Sequence, residues 1–245
     1  MTSLGVNSQT GGKNPVRGTL PGSRQGGQAI RPKPLLSCAS ARAGILPAPP
    51  FLRSSLPSED TAGSGTGRLI HSRTVHQGRV VEVAVDRVEL PNGHQVDLDM
   101  VRHPGAAAVV PFITETHILL VRQYRWAAGG FIYEIPAGRL DHKGEEPLAC
   151  ARRELLEEVG QHATSFKPLG SIVTAPGFTD EVIHLFLATG LQTGQQNLEQ
   201  DEVLDIVRLP FDQALDWALA GRIRDAKTLC GLLRADLFHR RGDAA

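Results

Sequence analysis

The segment Gly138-Arg-Leu-Asp-His-Lys-Gly-Glu145 is followed, after seven residues, by Arg153-Glu154-Leu-Leu-Glu157-Glu158-Val-Gly160. The second segment predicts a helix on which Glu154, Glu157 and Glu158 share one face, because they are spaced at i, i+3 and i+4. Like charges at these spacings repel each other and weaken a helix. A cation is therefore expected to bind beside the three carboxylates.

Arg153 lies four residues before Glu157 and can orient it, but one guanidinium cannot neutralise three carboxylates. A divalent cation can: Mg²⁺ takes oxygen ligands and bridges protein carboxylates to substrate phosphates, and Mn²⁺ can substitute. The alternative is a solvated acidic face, because charged side chains are mostly exposed. As a metal ligand, Glu158 is expected to lie on the solvent side of the helix, so that its replacement would affect folding little. Three aliphatic residues on a different face are predicted to pack inward: Leu148, Leu155 and Val159.

The composition narrows the class of protein. The chain has 245 residues, 41% of them hydrophobic, which is ordinary for a soluble globular protein. Residues 1–58 hold seven Lys or Arg and no Asp or Glu, which leaves 19 basic against 26 acidic residues in the remainder. This acidic balance argues against nucleic acid as a partner. No run of eighteen apolar residues occurs, so no membrane span is expected. Cys38, Cys150 and Cys230 are predicted to be free thiols in a reducing compartment.

Residues 1–67 are rich in Gly, Ser, Pro, Gln and Arg and show no sustained hydrophobic period. Such a composition buries too little apolar surface to fold, so we interpret the segment as a disordered low-complexity extension. The absence of acids in most of it is also typical of an organellar transit peptide. Translation from a start codon set too far upstream would look the same. A cytoplasmic enzyme with an extension is the favoured interpretation, and an organellar location is the alternative.

Residues 68–103 are predicted to form an N-terminal antiparallel ribbon. Apolar residues alternate with polar ones from Val81 to Leu90 and again over residues 96–100, and Pro91-Asn-Gly93 between them predicts a tight turn. A lone ribbon is marginally stable in water. We therefore expect it to pack on the main domain or to pair with a second copy of the chain as a homodimer.

Residues 104–238 are predicted to form the main domain. Strands are expected at 106–113, 118–124, 131–135, 169–173, 183–188 and 203–209, and helices at the acidic segment, at 211–219 and at 226–238. This order fits the α/β class, with a mixed sheet covered by helices on both faces.

The two opening segments closely resemble the signature of Nudix hydrolases, in which a glycine and a glutamate precede Arg-Glu-aliphatic-x-Glu-Glu-x-Gly-aliphatic. Two departures occur: six residues rather than five separate Gly138 from Glu145, and Gln161 stands at the closing aliphatic position. The extra residue falls in a loop composition, and Gln161 lies beyond the expected helix stop at Gly160. Neither change touches the acidic face.

The resemblance implies a Nudix-type α/β/α sandwich and magnesium-dependent cleavage of a nucleoside diphosphate linked to another group. It implies that the backbone carbonyl of Ala137 binds metal together with Glu154, Glu158 and Glu157. Without metal, mutual repulsion is expected to raise the pKa values of these carboxylates. The implied catalytic residues are Arg153, Glu157 and Glu181.

Four further segments resemble the ADP-ribose pyrophosphatase branch of that family: residues 121–125, 133–138, 175–181 and 225–228. In the loop Ala175-Pro-Gly-Phe-Thr-Asp-Glu181, Pro176 lies fifteen residues beyond Gln161, and a proline about fifteen residues beyond the signature is a marker of the branch. Glu181 inherits the role of base or metal ligand, with an exposed loop acid as the alternative. The resemblance also implies that Arg122 and Arg125 face the diphosphate or the terminal ribose and that Glu134 accepts bonds from ribose hydroxyls. Surface salt bridging is the alternative for Arg125.

The resemblance implies hydrolysis of ADP-ribose to AMP and ribose 5-phosphate. The branch often stacks adenine on aromatic rings of the ribbon, but residues 68–110 contain no Phe, Tyr or Trp. Another nucleoside diphosphate sugar is therefore an alternative substrate. A catalytically silent, ligand-binding regulatory module is a second alternative, and the intact acidic segment argues against it.

Overall fold

The computed structural model describes residues 66–141, 144–200 and 202–242, so the expected extension lies outside the described residues up to residue 65. The described strands are β1 (Arg68–Gln77), β2 (Glu82–Glu89), β3 (Gln95–Arg102), β4 (Ala106–Pro111), β5 (His117–Arg125), β6 (Gly130–Glu134), β7 (Ala137–Arg139), β8 (Gln161–Val173), β9 (Val182–Thr193) and β10 (Leu204–Pro210). The described α-helices are α1 (Pro147–Val159), α2 (Phe211–Leu219) and α3 (Ala226–Arg240).

The N-terminal ribbon is an antiparallel sheet in the order β1-β2-β3. The predicted turn joins β2 to β3: Gly93 has φ +83° and its N–H donates to the carbonyl of Leu90 at 2.8 Å. Glycine adopts this left-handed conformation without steric cost. The ribbon prediction is confirmed, and β1 adds a third strand to the expected hairpin.

The remaining strands form two sheets, in the orders β10-β5-β6 and β7-β4-β9-β8. Strand β4 pairs parallel to β9 and antiparallel to β7, which confirms the mixed sheet. Strand β7 was not predicted, and β8 begins at Gln161, well before the expected start at residue 169. Both differences arise next to the acidic segment, where short or polar strands give little hydrophobic signal.

Helices cover both faces of these strands, as predicted. Alternating residues of β4 and β5 enter opposite cores, because successive strand side chains point to opposite faces. One core holds Ala108, Val110 and Leu120 against α2 and α3, and the other holds Val109 and Val121 against α1. The fold is therefore an α/β/α sandwich preceded by the antiparallel ribbon.

Helix α1 begins with Pro147 in its first turn and ends at Gly160, whose φ of 62° gives a left-handed cap. This confirms the predicted stop. Leu155 and Val159 are buried as predicted. The prediction for Leu148 was wrong: it is 37% exposed, because it lies in the first turn before the buried stretch that begins at Cys150.

Within the described ranges, no helix is long and apolar enough to cross a membrane. Cys150 and Cys230 are free thiols, which confirms the prediction for these two residues, and Cys38 lies outside the described residues.

Candidate active site

The acidic face of α1 points into the protein. Glu154 and Glu158 are only 6% and 2% exposed, whereas Glu157 is partly exposed. The expectation that Glu158 lies on the solvent side was therefore wrong. The physical reason is that α1 packs against the backbone of β7 on this face, and a strand backbone offers hydrogen-bond donors to a buried carboxylate.

Two close approaches fix these carboxylates against β7. The backbone N–H of Ala137 donates to Oε2 of Glu158 at 2.9 Å. At the next residue, Gly138, a Cβ atom would lie 1.9 Å from Oε1 of Glu154. Real Cβ atoms do not come so close to another heavy atom, so the missing side chain of Gly138 is what makes room for the Glu154 carboxylate.

Arg153 joins the acids to the loop before the helix. Its Nη1 donates to Oε1 of Glu154 at 2.5 Å and to Oε2 of Glu157 at 3.1 Å, and the second bond joins the two residues that the i, i+4 spacing predicts to be neighbours. Its Nη2 donates to the carbonyl of Arg139 at 3.0 Å. The carboxylate of Glu145 lies 3.6 Å from Nε of Arg153, close enough for an ion pair. Oδ2 of Asp141 lies 3.3 Å from the same Nε atom, so one guanidinium pairs with four acids.

Burial dominates the ionisation of the acidic face. Loss of hydration raises the pKa of Glu154 to about 7, although the Arg153 charge opposes this. Burial, followed by repulsion from Glu154, raises the pKa of Glu158 to about 8. The expected increase is present for both residues, but its largest cause is desolvation rather than mutual repulsion. A cation that replaced the lost hydration would reverse both shifts.

The donor atoms fit a hydrated hard cation. In the part of the chain that the structure describes, no three His, Cys, Asp or Glu side chains converge into a complete metal cage. Magnesium does not need one, because it keeps several waters and binds through one or two carboxylates plus substrate phosphates. Glu154 and Glu158 supply two buried carboxylates beside the backbone of Ala137, which is the kind of partial site that magnesium prefers.

Two of the three predicted substrate-binding residues, Arg125 and Glu134, meet in a second charged cluster. Glu134 is 2% exposed and accepts two bonds from Arg125, from Nε at 2.9 Å and from Nη2 at 2.7 Å. It also accepts one from Nζ of Lys227 at 2.8 Å. Burial alone would raise the pKa of Glu134, but the two cations hold it below its usual value. Arg125 is thus salt-bridged to a buried acid, and its charge also acts on Glu158.

Arg122 lies apart from this cluster. Its Nη1 donates to Asp205 at 3.0 Å, and its guanidinium carbon lies 4.1 Å from the centre of the Phe131 ring. Both the arginine and its acid are largely exposed, at 41% and 67% of their side chains. The structure therefore does not bring Arg122 and Arg125 together, because alternate residues of β5 occupy different surroundings.

Two charged residues of the site, Lys227 and Glu202, were not among the predicted site residues. Lys227 reaches Glu134 from the start of α3, and Asp225 caps that helix by accepting from the N–H of Thr228 at 2.9 Å. Glu202, just before β10, raises the pKa of both Glu154 and Glu158 by its charge. Lys227 stands in the segment Asp225-Ala-Lys-Thr228, which offers a signal in the sequence. Glu202 is one acid among several in a polar loop and offers none.

Glu181 ends the loop between β8 and β9. Its carboxylate lies 3.5 Å from Nδ1 of His103 and its side chain is 26% exposed. Ala106 of β4 pairs with Arg139 on one side and with Ile183 on the other, which puts Glu181 at the same end of the sheet as β7.

Comparison with known proteins agrees with this geometry. The family model of the NUDIX domain matches residues 101–231. The chain is 44% identical over 164 residues to the methanol dehydrogenase activator of Bacillus methanolicus, covering 66% of this chain and 88% of that protein. It is 38% identical over 163 residues to the ADP-ribose pyrophosphatase of Bacillus subtilis (strain 168), with the same coverage of 66% and 88%.

A solved structure shares the fold. A crystal structure described as an ADP compounds hydrolase superimposes with a TM-score of 0.62 at 23% identity, over 72% of this chain and 96% of that one. The resemblance in the signature segments is thus confirmed at the level of family and fold. The chain belongs to the Nudix family, and it is a Nudix hydrolase.

Proposed function

We propose that this enzyme hydrolyses the diphosphate bond of ADP-ribose, giving AMP and ribose 5-phosphate. The observation that carries the proposal is the pair of buried carboxylates, Glu154 and Glu158, held against the backbone of β7. A buried pair with raised pKa values has little structural use but suits a site that receives a cation. The name of the relative from Bacillus subtilis supports the choice of substrate.

Nudix hydrolases use divalent metal ions, and we propose Mg²⁺ for this chain, with Mn²⁺ able to substitute. Glu154, Glu158 and the carbonyl of Ala137 would hold it, with Glu157 joining directly or through water. When bound, the metal neutralises phosphate charge and lowers the pKa of an attacking water. Arg153 keeps Glu154 and Glu157 oriented toward that position through its bonds of 2.5 and 3.1 Å.

A proton acceptor is needed besides the metal ligands, because a metal-bound carboxylate is a poor base. Glu181 remains the predicted residue. Glu202 is a second candidate, since its charge acts on both Glu154 and Glu158. Separate Gln variants at the two positions, compared by kcat over a pH series, would assign the role: loss of the acidic limb of the profile marks the base.

Arg125 is proposed to bind the diphosphate. Two of the five N–H donors of its guanidinium are used by Glu134, and the side chain is 41% exposed, so other donors remain for phosphate oxygens. Glu134 accepts three bonds and would hold Arg125 and Lys227 in place. A fourth acceptor position of its carboxylate is left for the predicted ribose hydroxyl. Arg122 would contact the outer part of the substrate.

Two alternatives remain. Because the ribbon has no aromatic ring to stack a base, a different nucleoside diphosphate sugar is the first. A regulatory module that binds a ligand is the second, and the 44% identical relative is named as an activator of another enzyme. The buried acidic pair favours catalysis over regulation, since a silent domain gains nothing from the desolvation of two carboxylates.

A substrate panel tests the proposal. Purified enzyme with magnesium is incubated with ADP-ribose, other nucleoside diphosphate sugars and nucleoside triphosphates, and the products are identified by mass spectrometry. We expect AMP and ribose 5-phosphate from ADP-ribose at the highest kcat/KM. A higher value for another sugar nucleotide would move the assignment to that substrate. Absence of turnover on the whole panel would leave the regulatory alternative.

We also propose that the enzyme is a homodimer in the cytoplasm. All ten residues of β1 are exposed, and three of them are large and apolar: Leu69, Ile70 and Val75. A strand of this length with apolar side chains in water favours pairing with a second chain. The free thiols of Cys150 and Cys230 suit a reducing compartment.

A further inference from the structure

The loop between β8 and β9 is docked on the ribbon as well as on the main sheet. The N–H of Val101 donates to the carbonyl of Phe178 at 2.7 Å, and the N–H of Asp180 donates to the carbonyl of Val101 at 3.3 Å. Val101 and Thr179 form a parallel bridge. Strand β3 pairs with β2 on its other edge, so residues 178–180 act as a short extra strand of the ribbon.

The Asp180 side chain completes this attachment. Its Oδ1 accepts from the backbone N–H of His103 at 2.9 Å, and its Oδ2 accepts from Nη1 of Arg102 at 3.4 Å. Nη2 of the same arginine donates to Asp86, which is 5% exposed. Asp86 in turn accepts from Oγ of Ser72 at 2.6 Å. Side chains from all three ribbon strands are therefore linked in one chain of hydrogen bonds to Asp180.

This attachment ends at the residue next to Glu181. The N–H of Glu181 donates to Oγ1 of Thr179 at 3.2 Å, and its carbonyl accepts from the N–H of Thr174 at 3.4 Å. On its other side, Val182 begins β9. The backbone of Glu181 is thus fixed between the Asp180 contacts and the main sheet, which limits where its carboxylate can reach.

We propose that Asp180 is a positioning residue, whose contacts with Arg102 and His103 hold the loop on β3 and thereby set the place of the Glu181 carboxylate. The inference rests on the proposed function, in which Glu181 takes part in hydrolysis. Asp180 itself does not touch substrate. Its effect on the reaction passes through the backbone, and a misplacement of about 1 Å can cost roughly a hundredfold in rate.

Substitution of Asp180 tests the proposal more specifically than substitution of Arg102. Removal of Arg102 would leave Asp86 buried without its cation, and an unpaired buried charge destabilises the fold. The Asp180 side chain is 43% exposed, and Arg102 keeps Asp86 when Asp180 is removed. Asp180→Ala removes both side-chain contacts. Asp180→Asn is the conservative variant, because its amide oxygen still accepts from the N–H of His103.

Asp97 provides the matched control. It lies on the same strand as Arg102, is 56% exposed, and pairs with Arg87 of β2 at 3.2 Å, on the ribbon itself. Asp97→Ala therefore removes an exposed acid and one ion pair of similar length from β3. It should leave the attachment of residues 178–180 unchanged.

Hydrogen exchange of the peptides that cover 178–181, measured with kcat and KM on ADP-ribose, tests the proposal on the full chain. We expect Asp180→Ala to speed hydrogen exchange in these peptides. We also expect it to lower kcat by roughly tenfold and to change KM by less than about twofold, because positioning is lost while substrate binding is kept. Asp180→Asn should recover most of both, and Asp97→Ala should match the wild type.

Unchanged exchange in Asp180→Ala would overturn the proposal, because the side chain would then not hold the loop. Faster exchange with normal kcat would overturn it too, because the loop would then not position a group that the reaction needs. Failure of the proposed function looks different: the wild type would turn over no substrate of the panel. In that case the exchange measurement still decides whether Asp180 holds the loop.

Discussion

Gly138 and Glu154 are in contact at a point where no side chain fits: a Cβ atom on Gly138 would lie 1.9 Å from Oε1 of Glu154. This relationship explains in physical terms why a glycine stands sixteen positions before Glu154. The glycine is needed for a close approach of side chain to backbone, whereas its own φ is not in the left-handed region. The carboxylate of Glu154 depends on that space for its place in the site.

We therefore predict that Gly138→Ala displaces Glu154 and lowers kcat/KM by about a hundredfold or more. Initial rates with ADP-ribose and saturating magnesium measure this. Gly177→Ala is the control, because a Cβ atom there meets nothing within 4 Å and the backbone is in an ordinary conformation. Normal activity of Gly138→Ala would show that Glu154 is not required where the structure places it.

The acidic pair makes a pH prediction. The pKa of Glu154 is raised from 4.5 to about 7 and that of Glu158 from 4.5 to about 8, chiefly by burial. Between pH 4.5 and about pH 8, the folded state thus binds more protons than the unfolded state. In the metal-free protein, the stabilisation that comes from keeping these two carboxyl groups protonated should be fully present below pH 4.5. It should be lost as the pH rises to about 8.

Melting temperatures from pH 5 to pH 9, with a chelator present, measure this fall. We expect a decrease of several degrees, since each kcal/mol shifts Tm by roughly 2–4 °C in a domain of this size. Glu154→Gln combined with Glu158→Gln should flatten the curve. Magnesium should raise Tm more at pH 8 than at pH 6, because metals bind the deprotonated carboxylates. A wild-type curve parallel to that of the double variant would contradict the assignment.

The burial of Glu134 predicts that removing Lys227 destabilises the protein more than removing Arg122 does. Lys227 is 11% exposed and pairs with the buried Glu134 at 2.8 Å. Lys227→Met should cost about 2–3 kcal/mol in free energy of unfolding, because Arg125 then compensates the buried acid alone. Arg122→Met should cost under about 1 kcal/mol, since its partner Asp205 is exposed. Urea unfolding measures both, and equal costs would refute the buried cluster.

The exposed β1 strand predicts a dimer. Leu69, Ile70 and Val75 are 54%, 40% and 47% exposed. Light scattering of the full chain at micromolar concentration should give twice the monomer mass, and Leu69→Lys combined with Val75→Lys should shift it toward the monomer. Leu219→Lys, at a position 88% exposed on α2, is the control for added charge. A wild-type protein that is fully active and has the mass of a monomer would contradict the homodimer proposal.

The sequence predicted the parts of the site whose residues repeat at a regular spacing. The acids of α1, the stop at Gly160 and the turn at Gly93 all follow from local rules. The burial of Glu158 does not follow from local rules. It depends on packing against β7, a strand of three residues that is too short to show a hydrophobic period. Glu202 and Lys227 lie far along the chain from α1, and only the fold places them beside Glu158 and Glu134.

The dependence of ADP-ribose hydrolysis on magnesium and on Glu158 is the most direct test of the account. Glu158→Gln should still fold, because its amide oxygen can accept from the N–H of Ala137 and a buried charge is removed. AMP release by the wild type should rise with magnesium to saturation and stop when the metal is chelated. Glu158→Gln should be slower by about a thousandfold at saturating magnesium. Near-normal turnover of the folded variant would contradict the proposed metal site.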